Sequence, residues 1–236
     1  MVRADITGIG WVTSAGMGCG RDHRRFAMAR GSLPEIKPAD VFDEPYPYFR
    51  RLDGYSRLGV AAIAFALKDA GLSGWTEKRN IGVIAATVYG SLGTDIDFYD
   101  TVMPHSGLSA SPALFPYTLP NSFLGEAAIR FGLTGAGFVI NEQHPAGRVS
   151  LQTALDHLAW GDLQKILVGV CDQGCPQPFV GQSGVVPGAL FFMIEKGPAT
   201  GPLSYGKLAL SKRGDLQFRG TQIDDFYDLV QKCLAG

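Results

Sequence analysis

Cysteine and histidine, four of each, are the residue types in this chain that could act as nucleophile, acid–base group or metal ligand. Cys19, Cys171, Cys175 and Cys233 do not form two paired clusters, so the spacing of a structural zinc site is missing and no metal is expected. Cys171 ends an apolar run and reads as a core residue, and a disulfide framework is unneeded at this chain length. His23, His105 and His157 are scattered along the sequence. His144 stands apart, because it follows the apolar run Phe138–Ile140, sits beside Gln143 and precedes Pro145 at a helix start. It could be a cap or a satisfied, partly buried imidazole. It could instead touch a bound chain or a partner's site. The third option, a general acid–base group, has no carboxylate that the sequence can pair with it. Asp95, Asp97 and Asp100 could suggest a cation, but their spacing suits an exposed helical face. Gly8, Gly10 and Gly16 do not complete a dinucleotide fingerprint and are expected to serve close packing of the first strand, so no cofactor is expected.

The elements that must position these groups alternate between strand and helix. Asp5–Val12 reads as a strand leading into a glycine-rich loop, and residues Ser32–Tyr48 as a long irregular loop rich in proline and acidic groups. Ser56–Ala70 carries Leu58, Ala61, Ala62, Ala66 and Leu67 at helical spacing, with Gly71 as its stop. Ile81–Ala86 is a buried strand and Asp95–Val102 a helix. Pro112, Pro116 and Pro120 then break the chain. Asn121 caps a helix that runs to Phe131 and ends at Gly132, and Phe138–Ile140 is another buried strand. Pro145 can open the next helix without losing a needed N–H. That helix runs to Trp160 with Leu151, Ala154, Leu155 and Leu158 on one face, ended by Gly161. Ile166–Val170 and Leu190–Ile194 are strands, Leu203–Leu210 a weaker one, and Ile223–Leu234 a terminal amphipathic helix. Such alternation predicts a layered α/β architecture.

The chain has 236 residues, 46% hydrophobic and 18% charged, with 31 glycines and a formal net charge of −1. One domain spanning 1–236 with a substantial core is the expectation. Nucleic acid is not expected as a partner, because phosphate binding needs clustered Lys and Arg and only Arg21–Arg25 approaches such a cluster. No run of eighteen apolar residues predicts a membrane span. The start, MVRADITGIG, is too polar and glycine-rich for a signal peptide, so a cytoplasmic location is expected.

Several stretches, in order, resemble the β-ketoacyl synthases of the thiolase superfamily. Ile6–Gly18 (ITGIGWVTSAGMG) is similar to that family's opening strand and glycine loop, and Arg50–Leu72 (RRLDGYSRLGVAAIAFALKDAGL) to the helix that follows. Phe115–Gly147 and Ala159–Asp172 resemble the stretch that holds an Asn, a glycine-ended helix, a strand and then the nucleophilic Cys at a helix start. Val185–Lys196 looks like the closing strand of the amino-terminal half. The resemblance implies half of a thiolase-like layered fold, a mixed and mainly parallel five-stranded sheet with helices on its faces.

Two departures qualify what the resemblance implies. His144 stands at the family's nucleophile position, and a shift of one residue would place Gln143 there, as chain-length factors of polyketide systems carry Gln. The family's second half, with its two further histidines, has no counterpart here. A condensing enzyme needs a thiolate, which a helix N-terminus helps to form, and His cannot carry the acyl group as a thioester. The resemblance therefore implies a chain-length-factor-like, non-catalytic subunit of a β-ketoacyl-ACP synthase complex in fatty acid or polyketide-type biosynthesis. Similar half-length proteins occur in aryl-polyene-type systems. The alternatives are malonyl-thioester decarboxylation supported by His144 or Gln143, or a module that only binds an acyl carrier protein. Expected partners are a Cys-bearing ketosynthase subunit, a second copy of this chain, and an acyl carrier protein. By the same resemblance Leu92, Ile96, Phe98 and Tyr99 are candidates to limit an acyl tunnel, and Phe115 to Leu124, including Asn121, corresponds to interface segments. A lone half should also leave a large apolar surface bare where its sister half would pack.

Overall fold

Short, continuous apolar runs build strands buried on both faces, and glycines let helices lie close against them. A computed structural model describes residues 2–22, 25–143, 147–161, 163–176, 184–197 and 204–235. In chain order the elements are β1 (Val2–Thr13), β2 (Gly16–Cys19), α1 (Pro38–Val41), α2 (Gly54–Asp69), β3 (Ile81–Thr87), α3 (Leu92–Val102), α4 (Ser122–Phe131) and β4 (Gly137–Asn141). There follow α5 (Arg148–Trp160), β5 (Lys165–Asp172), β6 (Gly188–Lys196), β7 (Gly206–Leu210), β8 (Leu216–Phe218), β9 (Thr221–Gln222) and α6 (Phe226–Leu234).

The sheet order is β4-β3-β5-β6-β1-β7-β8-β9, with β2 also on β1. β3 pairs in parallel with β4 and β5, whereas β6 is antiparallel to both β5 and β1. In the five-stranded centre β4, β3, β5 and β1 thus run one way and β6 the other, the mixed, mainly parallel layer expected. The antiparallel additions β2, β7, β8 and β9 enlarge the sheet beyond five strands.

One face of the sheet packs on α2 and α4, through Leu58, Ile63, Phe123 and Phe131 against Val83, Leu167 and Phe191. α2 is buried nearly all round, which its run of alanines permits, and Asp53 caps it by accepting from the Ser56 N–H at 2.9 Å. Gly8 and Gly10 face the α2 backbone at Ala62 and Ala66 so closely that a Cβ has no room. The close-packing role expected of Gly8 and Gly10 is therefore what they have, whereas a Cβ on Gly16, of which the same was expected, meets nothing within 4 Å, and Gly16 instead takes a positive φ of 132° at the start of β2.

The other face packs on α5 and α6, through Leu151, Leu155, Phe226, Leu229 and Val230 against Ile84, Val168 and Phe192. The sheet face itself is thus covered, while Val149 and Trp160 of α5 stay exposed. The second face is covered by the segment that follows β6, whose amphipathic helix docks its whole apolar side there. Asp69 at the end of α2 fastens that segment, because its carboxylate accepts from the Ile9 N–H and the Tyr205 hydroxyl, each at 2.8 Å.

Boundaries moved where local chemistry is finer than periodicity. α2 starts at Gly54 behind Asp53, α3 starts three residues before Asp95, and α6 starts at Phe226 with Asp225 as its cap. The 32–48 loop holds the short α1 and the start of a 3-10 turn at Pro47–Arg51.

Candidate functional site

The parallel strands β4, β3 and β5 end side by side, and the ends of such strands are where α/β sheets place their ligand sites. Thr87 pairs with Asn141 across β3 and β4, and β5 ends beside them at Cys171 and Asp172. Two connections leave this edge, from β3 into α3 and from β4 into α5.

The first connection is organised by Asp172. Its carboxylate is buried and accepts from the Thr87 hydroxyl at 2.8 Å, the Val88 N–H at 3.0 Å and the Tyr89 N–H at 2.9 Å. Thr87 Oγ1 in turn accepts from the Gly90 N–H at 2.7 Å. Burial raises the Asp172 pKa, and the amides of Tyr89 and Val88 pull it partly back. The Asn141 side chain donates to the Val88 carbonyl at 3.0 Å, tying the β4 end to the same turn. Tyr55 lies buried beneath this edge, edge-on to Phe123.

That turn launches α3, which carries the proposed gate. Leu92, Ile96 and Phe98 are half-buried, while Tyr99 is 57% exposed. The Phe98 and Phe115 rings meet at 5.7 Å between centroids, so the structure brings α3 and the 115 segment together. Thr94 of α3 also donates to the Asp53 carboxylate that caps α2. Tyr99, Met103, Leu108, Phe115 and Leu119 are all large, apolar and exposed along one stretch of chain. Asn121 occupies the N-cap position of α4, but its side chain makes no capping bond and is exposed. The expected cap is thus positional only.

The second connection leads from β4 into α5. Gln143 is exposed in a bend, and His144, with Pro145 and Ala146, lies outside the described residues. α5 begins at Arg148 with Gly147 as its N-cap in the left-handed region at φ 63°, a conformation that favours glycine. Glu142, between β4 and this helix, is buried and accepts from the Ser150 N–H at 3.0 Å. Burial raises its pKa first of all, and the backbone N–H groups of Ser150, Val149, Gly147 and Arg148 draw it back.

Sequence reasoning missed Asp172 and Glu142 as site residues. The available signal was an acid directly after an apolar strand, in Glu142 just ahead of a helix start, where carboxylates are favoured. The sequence between β4 and α5 holds no cysteine. Cys19, Cys171 and Cys233 are buried, and burial pushes each thiol up, Cys19 to about 12. Cys175 follows β5 and is half-buried. Among the described residues there is no cluster fit to hold a metal ion, and no helix long and apolar enough to cross a membrane.

Residues 37–185 match the family model described as "Beta-ketoacyl synthase, N-terminal domain". Nodulation protein E of Rhizobium leguminosarum bv. trifolii is 28% identical over 141 residues, which is 58% of this chain and 35% of that protein. A 3-oxoacyl-(acyl-carrier-protein) synthase 2 of Vibrio cholerae is 27% identical over 121 residues, 51% of this chain and 29% of that protein. The chain thus spans about a third of the length of the curated relatives it matches. Among solved structures, the ishigamide ketosynthase/chain length factor superposes with a TM-score of 0.69 at 17% identity, over 88% of this chain and 62% of that one. A ketosynthase in complex with its chain length factor from Xenorhabdus doucetiae gives 0.62 at 16% identity, over 84% and 80%. At these identities the likeness is one of fold.

Proposed function

Because the chain belongs to the β-ketoacyl synthase N-terminal-domain family, we propose that it is a non-catalytic, chain-length-factor-like subunit of a β-ketoacyl-ACP synthase complex. It would work in the cytoplasm as a single domain over 1–236, in fatty acid or polyketide-type biosynthesis. The observation that carries this reading is the lack of a thiol between β4 and α5, where the family's condensing members keep theirs. The remaining cysteines are buried or stand elsewhere. A thioester relay needs an accessible thiolate, and a thiol pushed to about 12 at Cys19 supplies almost none at neutral pH.

The partner surface fits the same reading. Among the described residues β4 is the outer strand of the sheet, hydrogen-bonded on one side to β3, and its Phe138, Val139 and Ile140 are only half-buried. A bare strand edge is a template for pairing with another chain. Tyr99, Phe115 and Leu119 add exposed apolar side chains of the kind that mark interaction sites. A Cys-bearing ketosynthase is the proposed occupant, with an acyl carrier protein delivering chains to the assembled pair. Leu92, Ile96 and Phe98 would then face the growing chain.

The test is intact mass of the pure protein after incubation with acyl- and malonyl-thioesters, with CO₂ release measured alongside. No adduct and no CO₂ is the expected result, followed by co-purification with a ketosynthase on joint expression. A stable adduct, or CO₂ release lost in His144→Ala, would overturn the reading in favour of an enzyme with altered chemistry.

A further inference from the structure

We propose that the cavity between α1, α2 and the end of α4 binds a small organic anion with a flat apolar body, such as an aryl carboxylate. The cavity lies away from the strand ends described above. Its lining includes Ser73–Thr76, which lead towards the start of β3, and Phe131, which leads towards the start of β4. The proposal needs neither thioester chemistry nor a ketosynthase partner.

The cavity has a volume of about 690 Å³, within the range of small-molecule sites. Its apolar lining comes from Val41, Phe42, Ala64, Trp75 and Phe131. The Phe42 and Phe131 rings stack at 6.4 Å between centroids and 29° between planes. Trp75 is fixed at two points. Its indole N–H donates to the Arg130 carbonyl at 2.9 Å, and its ring lies against Gly132 so closely that a Cβ there has no room. The indole nevertheless stays 40% exposed. Aromatic walls already held in place lose little freedom when a flat ligand binds.

Two cations line the same cavity, Lys68 on α2 and Arg130 on α4, and each has only a loose carboxylate partner. The Arg130 guanidinium is held over the Phe42 and Tyr46 rings at 5.4 and 5.1 Å, and its buried Nε has no hydrogen-bond partner among the described residues. Glu44 approaches it at 4.0 Å, and Asp43 approaches Lys68 at 3.8 Å. Both acids stand just after α1 with side chains 83% exposed, and such solvated pairs are worth little. Glu126, one turn before Arg130, is engaged by the Tyr46 hydroxyl. Behind the cavity Arg79 donates to the Leu72 carbonyl at 2.8 Å and the Phe131 carbonyl at 2.9 Å. Burial lowers the Arg79 pKa, and no carboxylate among the described residues answers its charge. The Arg130 and Phe131 carbonyls at the end of α4 are taken by Trp75 and Arg79, so they do not oppose an anion. A ligand carboxylate that displaces Glu44 and Asp43 would gain charge-assisted hydrogen bonds from Arg130 and Lys68.

The test is calorimetric titration of the full chain with naphthoate, its neutral amide, and the cationic naphthylmethylamine, probes of nearly one shape. Naphthoate should saturate a single site, with the amide about tenfold weaker, the scale of a charge-assisted contact, and the amine weaker still. Arg130→Gln and Lys68→Gln should each weaken naphthoate by about tenfold and leave the amide unmoved, a split by ligand charge that a merely structural role does not produce. Glu44→Gln removes the competing carboxylate and should tighten naphthoate by about two- to threefold. Lys68 is half-exposed, so Lys68→Gln decides should Arg130→Gln not fold. Absence of saturable naphthoate binding at low-millimolar concentration overturns the proposal. So does binding that the amide equals, or that Lys68→Gln leaves unchanged.

Discussion

The Asp172 carboxylate at the end of β5 accepts from the Thr87 hydroxyl at the end of β3 at 2.8 Å, joining residues 85 positions apart in sequence. The same carboxylate holds the Val88 and Tyr89 amides, so one buried charge sets the turn from which α3 departs. Asp172→Ala strips these donors of their acceptor and should destabilise the fold by about 2–4 kcal/mol. Thr87→Val removes one hydroxyl and should cost about 1 kcal/mol. Urea denaturation reads both. Hydrogen exchange should rise first in residues 88–102 of Asp172→Ala, and uniform acceleration across the chain would show that Asp172 does not act on α3.

Proton linkage at Asp172 runs opposite to that of a salt-bridged carboxylate. Burial raises its folded pKa above the unfolded value of about 4. The folded state then holds the proton longer, so the unfolded state binds fewer protons between the two values and stability falls as pH rises through that window. Asp172→Asn carries no such proton. Its stability deficit relative to wild type should therefore shrink as pH rises from about 4 towards neutrality. Urea midpoints of both proteins across that range check the sign, and a deficit that widens would contradict the raised pKa.

Elements made by local pattern were legible, and contacts made by topology were not. Ile81–Ala86, Ile166–Val170 and Leu190–Ile194 are continuous apolar runs, and each is the centre of a strand buried on both faces. Leu151, Ala154, Leu155 and Leu158 repeat at helical spacing and lie buried on one face of α5. β8 and β9 are three and two residues long, turned at Arg219 and Gly220 with positive φ, too short for any period to register. Docking of α6 on the second face of the sheet depends on where β7 to β9 lead the chain, so its amphipathic pattern alone could not place it. The roles of Asp172 and Glu142 rest on side chains reaching backbone amides in other elements, which sequence spacing does not encode.

If α3 limits the acyl chain, shortening its half-buried side chains should lengthen the product. Leu92→Ala and Phe98→Ala remove bulk from a helix pinned by Asp172 and by the Thr94 bond to Asp53, so the backbone should hold while the space grows. Phe115→Ala removes the ring that Phe98 meets and should have the same direction of effect. Mass spectrometry of products from a reconstituted ketosynthase complex measures it. Unchanged lengths in all three variants would remove α3 from the tunnel.

The cover that α6 gives to the second face carries a sharper stability prediction. Phe226, Leu229 and Val230 are fully buried against strands from across the sheet, and Phe226 also fills the space above Gly147. Truncating such an aromatic leaves a cavity that its neighbours cannot close, because they belong to two layers fixed by the sheet. Phe226→Ala should cost roughly 3–5 kcal/mol in urea denaturation. Gly147→Ala tests the same contact from the other side, since its added methyl must push against the Phe226 ring at a positive φ and should cost roughly 1–3 kcal/mol. The two changes interact directly: Phe226→Ala removes the ring that the Gly147→Ala methyl meets most closely, while its close approach to Val170 remains. The double variant should therefore be more stable than the sum of the single losses allows. Strict additivity would place the α6 ring away from the α5 start and leave the second face of the sheet covered by some other arrangement.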